Sequence, residues 1–446
     1  MEKKVYRSRF GWLFVGVLLS SQVYAQTFIW LPPTEACQTW DWSTIANDIS
    51  WHDLRIVGQG LCTISRPGES VHTEFPQGWS VLPGGVSTWG VGFFGEALAI
   101  SGDGTVFVGL IHTDGVTGGK PFKGAFDSPE SLVLLPFDMN RWQYGAATDA
   151  NIDGSTIVGY VSRTGSYPDK AGMIWTGSSY TEVLCRDVEN HLATTILEGV
   201  SSDGRFVVGA YDEIVGRRPG GEVELPVKAL VPFLYDRYSG TCTRLCTPED
   251  GVAFGISSDG EMVVGTADNH AFVAKVGTSI QCELLPPVQG FESYTYEAYD
   301  ISNERENGTR IIVGKAYTLS EHRAVLWVWS ESGETAAYDL TSLFSDILSP
   351  DSVLHSANAV SRDGLYVVGY GHNADPQKVQ GYLLTPFCTP HSGDVNNDGC
   401  VDDADLFEVL LAIGCQSSCG RADVNCNGVV DDADLLVVLA NYGLGC

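Results

Sequence analysis

A short phrase recurs seven times along this chain at a spacing of about fifty residues, and no other feature limits the fold as tightly. An apolar stretch runs into Ser-x-Asp-Gly, and a β-branched pair closing on Gly follows. The clearest copies are Ala99-Ile100-Ser101-Gly102-Asp103-Gly104 with Val108-Gly109, and Gly199-Val200-Ser201-Ser202-Asp203-Gly204 with Val207-Val208-Gly209. Asp149 to Gly159, Gly255 to Gly265 and Ala359 to Gly369 follow the same form, while Asn47 to Gly58 and Tyr299 to Gly314 are degenerate. The closing glycines, at 58, 109, 159, 209, 265, 314 and 369, lie 51, 50, 50, 56, 49 and 55 residues apart.

Each phrase reads as two strands joined at Asp-Gly, because Asp-Gly supplies the positive φ that a tight turn requires. A third strand carries an apolar or aromatic run such as Met173-Ile174-Trp175, His270-Ala271-Phe272 or Val325-Leu326-Trp327. A fourth is expected to end in Leu-Pro, at Leu82-Pro83, Leu135-Pro136 and Leu285-Pro286. Four short strands per repeat of this length is the pattern of a propeller blade. The seventh unit has three strands, ending at Gly381-Tyr382-Leu383-Leu384, and lacks a fourth. Thr27-Phe28-Ile29-Trp30-Leu31-Pro32 is the orphan that completes it and leaves no open sheet edge. Residues 26–387 are therefore expected to form an all-β seven-bladed β-propeller. The repeat resembles the HAF family of extracellular repeats, whose His-Ala-Phe stands here as His270-Ala271-Phe272. That resemblance implies a secreted bacterial propeller and leaves the ligand open, since the family is defined by architecture.

Lys3, Lys4, Arg7 and Arg9, an apolar run from Phe10 to Leu19, and Val23-Tyr24-Ala25 read as a signal peptide over residues 1–25. No later stretch reaches the ~20 apolar residues of a spanning helix, so no membrane span is expected. With 26 Lys+Arg against 55 Asp+Glu, the chain repels nucleic acid and anionic lipid. Its 12 Cys, an even number in an oxidising compartment, imply disulfides whose pairing spacing alone leaves open. Cys37 and Cys62 are expected to flank the first blade's opening strands on one rim and to bond.

No Gly-x-Ser-x-Gly elbow, His-Glu-x-x-His pair or Gly-Lys-Ser/Thr loop occurs, and the nine His are scattered singly. Asp103, Asp153, Asp203, Asp259 and Asp363 are read as turn scaffold. Aromatic residues cluster where chain leads into first strands, and Trp42, Trp89, Trp142 and Tyr296 are the candidate ligand contacts. Flat rings on one rim grip a polysaccharide or a protein segment; the same rings also fill gaps between blades.

The C-terminal stretch, residues 388–446, carries a duplicated loop at a 29-residue offset. Six to eight hard oxygens suit Ca²⁺, drawn in EF-hand-like loops from positions 1, 3, 5, 7, 9 and 12. Loop one offers Asp394, Asn396, Asp398, the Cys400 carbonyl, Asp402 and Asp405; loop two offers Asp423, Asn425, Asn427, the Val429 carbonyl, Asp431 and Asp434. An apolar helix follows each, over Leu406–Ile413 and Leu435–Tyr442, and Gly414 or Gly443 closes it. Loop, helix, duplication and Asp at position 12 resemble a type I dockerin, a small all-α module with two calcium sites. The family implies docking to a cohesin on a scaffold protein through positions 10 and 11. Here those positions are Asp403-Ala404 and Asp432-Ala433 rather than a hydroxyl pair. A calcium-stapled anchoring tail is the other reading. The expected protein is a secreted, non-enzymatic binding or structural protein: a propeller as interaction face and a tail for attachment to a partner or cell surface. The alternative is a secreted carbohydrate-active enzyme, a glycosidase or lyase, carrying a dockerin.

Overall fold

The structure, a computed structural model, describes residues 27–34, 41–51, 54–66, 69–82, 85–112, 118–165, 167–220, 223–246, 250–277, 280–305, 308–331, 335–345, 347–375, 378–385, 393–396, 400–415, 422–425 and 429–444. Two compact units emerge: one is Phe28–Pro386, and the other contains the chain from Phe387 to Cys446.

The first unit is a seven-bladed propeller of four-stranded antiparallel sheets. Blade 1 runs Asp41–Ile49, Arg55–Arg66, Glu69–Leu82 and Gly85–Gly90. The first strands of blades 2 to 6 are Gly95–Ile100, Tyr144–Ala150, Thr195–Val200, Gly251–Ile256 and Thr295–Ile301. Blade 7 is made of Val353–Val360, Val367–His372 and Val379–Thr385, and its outer strand is Thr27–Trp30 from the other end of the chain. Leu31 N–H extends that pairing by donating to the Gly381 carbonyl at 2.8 Å, and Phe28 stacks on Tyr382.

Two signatures of the repeat now have physical causes. In every blade the first strand slips register by one residue, at Asn47, Leu98, Thr148, Glu198, Phe254, Tyr299 and Asn358. Such a bulge bends the strand towards its partner. The closing glycine lies opposite it, where a Cβ would fall 1.9 Å from the Ile45 carbonyl at Gly58, 2.0 Å from that of Ile196 at Gly209 and 1.9 Å from that of Glu297 at Gly314. Only glycine fits. In the Ser-x-Asp-Gly turn, Asp103 Oδ1 accepts from Ser101 Oγ at 2.7 Å and Thr105 N–H at 2.9 Å, while Gly104 takes φ +73°. Asp203, Asp259 and Asp363 repeat the serine contact at 2.7, 2.5 and 2.6 Å. These aspartates are turn scaffold.

Leu-Pro has an equally local role. Leu31, Leu135 and Leu285 are buried. The carbonyls of the prolines after them accept the indole N–H of the following blade: Trp79 to Pro32 at 2.7 Å, Trp175 to Pro136 at 2.8 Å and Trp327 to Pro286 at 2.8 Å. Each such bond is worth about 1 kcal/mol net, and more is lost when a buried partner is left alone. The expectation for Leu82-Pro83 is corrected, since Leu82 ends the third strand of blade 1 and the fourth is Gly85–Gly90. The long hairpin Arg55–Leu82 carries strand further than the repeat length suggested.

The core lies between blades rather than within them, and one cluster joins Val264 and Val273 of blade 5 to Tyr296, Ala316 and Trp327 of blade 6. Two disulfides, Cys185–Cys242 and Cys246–Cys282, tie blade 3 to 4 and the end of blade 4 to 5. Cys62 is disulfide-bonded; Cys37, its expected partner, lies outside the described residues.

In the second unit the helices are Asp403–Ala412 and Asp432–Ala440, each starting earlier than the apolar pattern suggested. The reason is a capping box: Asp402 and Asp431 cap the helices, and Asp405 and Asp434 reach back to the cap N–H groups. Val395, Val401, Val409, Val424, Val430 and Val438 form the shared core. The repeats are joined reciprocally, Gly414 N–H to the Val430 carbonyl at 2.9 Å and Gly443 N–H to the Val401 carbonyl at 2.8 Å.

Candidate functional site

The first strands of all seven blades line the propeller's channel, so the bulge sends a side chain of each blade into it. Two cavities meet there and share Asp48, Asp149 and Asp300 in their walls. One of them, about 150 Å³ and lined by the bulge residues of all seven blades, is termed the upper.

The seven bulge positions divide by what their side chains do. Asn47 Nδ2 donates to the Ala97 carbonyl at 2.8 Å, Thr148 Oγ1 to that of Leu197 at 2.9 Å, and Asn358 Nδ2 to that of Ala46 at 2.8 Å; each fastens its blade to the next. The next position adds a second fastening where it is Asp. Asp48 accepts from the N–H groups of Ile49 and Ile100, Asp149 from those of Ala150 and Val200, and Asp300 from those of Ile301 and Val360. Burial raises all three carboxyls, Asp149 to about 7 and Asp300 to about 6. Their oxygens remain engaged with backbone, so they are inter-blade staples.

Leu98, Glu198, Phe254 and Tyr299 have no such role at the bulge. Glu198 has no hydrogen-bond or ion-pair partner among the described residues, and burial lifts its carboxyl to about 7 against the pull of Lys170. Phe254 and Tyr299 meet edge to face with ring centres 5.2 Å apart. Blades 4, 5 and 6, which supply these three, also approach closely there: a Cβ at Gly199 would lie 2.8 Å from the Phe254 carbonyl, and one at Gly255 2.5 Å from that of Tyr299. The Tyr299 hydroxyl donates to Glu297 at 2.6 Å, and Glu297 also accepts from Tyr317 at 3.0 Å and pairs with Lys315 at 3.1 Å.

Beyond this hub, the structure brings together histidines that are far apart in sequence. His355 Nε2 and His372 Nδ1 are 2.8 Å apart, with the His322 ring 6.3 Å from that of His355. Burial and its neighbours lower His355 to about 4, keeping it neutral. Nothing in the residue order marks this cluster, because its members come from two blades.

The four rim aromatics of the sequence do not form a platform. Trp142 is fully buried between blades 2 and 3, and Tyr296 is buried with its hydroxyl donating to the Phe291 carbonyl at 2.9 Å. Trp89 packs against Phe107 and Phe126 with its indole N–H buried, and Trp42 packs on Cys62 and Phe75. Gap filling between blades explains Trp89, Trp142 and Tyr296.

Of the calcium positions, Asp394, Asn396, Cys400, Asp402 and Asp405 are described in loop one, and Asp423, Asn425, Val429, Asp431 and Asp434 in loop two; Asp398 and Asn427 lie outside the described residues. Asp405 and Asp434 are fully buried. Asp405 Oδ1 accepts from the N–H groups of Val395 and Asn396 at 2.6 and 3.0 Å, and Asp434 Oδ1 from Asn425 N–H at 3.0 Å. Position 12 is thus folded over the start of its own loop in both copies. Among the described residues no three His, Cys, Asp or Glu side chains are grouped to hold a metal.

No protein-family model and no curated protein matches this chain. Among solved structures, it is similar to the β-propeller domain of the Trilobed protease from Pyrococcus furiosus, with 10% identity over 77% of this chain and 95% of that one and a TM-score of 0.46. It is also similar to the Pyrococcus horikoshii acylaminoacyl peptidase, with 11% identity, coverage of 81% and 54%, and a TM-score of 0.45. A third is TolB from Acinetobacter baumannii, with 13% identity, coverage of 54% and 63%, and a TM-score of 0.32. The chain therefore spans about half of that peptidase and less than two thirds of that TolB.

Proposed function

We propose that this is a secreted binding protein whose propeller takes a ligand at the upper mouth of its channel and whose tail is a calcium-stapled attachment module. The observation that carries the first part is the division of the bulge ring. Three of the seven side chains fasten blade to blade, while Glu198, Phe254 and Tyr299 form a contiguous wall with no such role. Side chains that line a cavity without holding the fold together are where recognition resides. In the tail, the oxygen-rich loops fit a hard divalent cation, which Asp394, Asn396, Asp402 and Asp405 and their counterparts in loop two would hold. Calcium would offset the repulsion among ten carboxylates in residues 388–446. Attachment to a cohesin-like scaffold or to a surface protein is the role proposed for it.

The test is a glycan and peptide array probed with the full chain and with Phe254→Ala, each kept in calcium. A ligand retained by the parent and lost in Phe254→Ala, with an unchanged melting curve, supports the mouth as the site. Equal retention by both variants places recognition elsewhere and overturns the reading.

A further inference from the structure

We infer that the upper mouth of the channel is a receptor for an organic ammonium group, either a small amine or the end of a lysine-like side chain, held between the Glu198 carboxylate and the Phe254 ring. The inference rests on the reading of the mouth as a ligand site and names the class of ligand. The argument begins with the carboxylate. Asp48, Asp149 and Asp300 each accept two backbone N–H groups, yet Glu198, which lines the same cavity, has no donor among the described residues. Glu198 is part-buried, and a carboxylate that has lost part of its water without gaining a protein donor is matched by a ligand that brings positive charge with N–H donors.

The surroundings favour an ammonium over a metal ion. Phe254, one blade away, lines the same cavity as Glu198, its ring set edge to face on Tyr299, and a carboxylate and an aromatic ring lining one cavity are the groups that attract alkylammonium ions. The cavity, about 150 Å³, suits such a group. Lys170, the nearest cation, has its amine 5.1 Å from the Tyr160 ring centre and forms no ion pair with Glu198 among the described residues. Lys315 in turn is committed to Glu297 at 3.1 Å. The other titratable groups lining this cavity are Asp48, Asp149, Asp300 and Tyr299, with Tyr160 acted on by both Glu198 and Glu96; Asp149 and Asp300, raised to about 7 and about 6, gain their charge over the same pH range as Glu198.

A pH signature follows. The free Glu198 carboxyl sits near 7, and an ammonium ligand binds its ionised form. Binding should therefore tighten as pH rises from 6 to 8 and release a proton, visible by calorimetry in two buffers of different ionisation enthalpy.

The experiment is titration of the full chain with n-butylammonium, n-butanol and cellobiose at pH 6 and 8. The expected result is n-butylammonium binding that Glu198→Gln weakens by ~10-fold or more, that Phe254→Leu weakens less, and that n-butanol does not reproduce. Equal affinity for n-butanol, or unchanged affinity in Glu198→Gln, overturns the inference. Binding of cellobiose alone, lost in Phe254→Leu, overturns the ammonium and leaves the mouth as a ligand site. No heat with any of the three at millimolar concentration overturns the ammonium, and a blank array beside it removes the mouth as well.

Discussion

In the ring, the aspartate repeated in each Ser-x-Asp-Gly turn accepts through Oδ1 from the serine two residues earlier and from the N–H two residues later, contacts that build the turn itself. In the tail, aspartates recur at positions 1, 9 and 12 of both loops, the pattern expected of a cation loop. The same residue type, duplicated in both regions, would thus serve opposite ends. Where a ring closes on itself, the repeated residues are structural, and the function proposed for it collects at the departures, here Glu198, Phe254 and Tyr299. In the reading proposed for the tail, a duplicated loop surrounds an ion and the repeated residues would themselves be the chemistry.

The most severe test of the ring is to open it. Deleting residues 26–33 removes the outer strand of blade 7, the fully buried Leu31 and the carbonyl that accepts the Trp79 indole. The expected outcome is loss of a single cooperative unfolding transition; an unchanged calorimetric trace would show that the closure carries no load.

Next in size is a single side chain at a closing glycine. In Gly314→Val the new Cβ would lie 1.9 Å from the Glu297 carbonyl, so the bulge must give way, at a cost of about 4 kcal/mol or more. Gly92, where a Cβ meets nothing within 4 Å, is the control, and Gly92→Ala should shift the urea midpoint hardly at all. Similar losses in both variants would refute the role given to the signature glycine.

The channel carboxyls come third, and their effect depends on pH. Burial raises Glu198 from its ordinary 4.5 to about 7, so the folded ring holds this proton more tightly than the unfolded chain does. The stability it contributes is complete below about pH 4 and is lost as pH rises through 7. Asp149 and Asp300 act in the same direction. Glu198→Gln should therefore be more stable than the parent by on the order of 1–2 kcal/mol at pH 8 and unchanged at pH 4, in urea melts at each pH. An equal difference at both would mean that the carboxyl is hydrated in the channel.

How far these features could be read beforehand follows the same division. Blade number, turn type and ring closure were legible because each rests on residues adjacent in sequence: Asp-Gly for the turn, Val-Val-Gly for the second strand, an orphan strand beside an incomplete blade. Trp142 and Tyr296 were not, since a ring at the start of a first strand reads the same whether it faces solvent or the next blade. Only the neighbour about fifty residues away decides that. Glu198 was missed because it follows Leu197 in an ordinary apolar alternation, and nothing local marks the bulge that turns it into the channel. Its signal was available in the repeat: aligning the copies sets Glu198 against Asn47, Thr148 and Asn358, the one acid in that column.

The smallest expected effect belongs to the tail, and it is where the comparison can be sharpened. At position 5 loop one carries Asp398 and loop two carries Asn427, while positions 1, 3, 9 and 12 match in type. Affinity for a hard divalent cation rises with the number of ligand charges in one geometry, so loop two should be the weaker site. The reciprocal backbone bonds through Val401 and Val430 and the shared valine core should transmit order from the first loop to the second. Calcium titration of the full chain by calorimetry should then resolve two affinities. Asn427→Asp should tighten the weaker by several-fold, about 1 kcal/mol, and leave the ring's melting transition in place. Weakening by Asn427→Asp would mean that the amide, not its missing charge, sets that site. No calcium-dependent heat at all would make the repeated aspartates of the tail structural like those of the ring, and the contrast between the two regions would disappear.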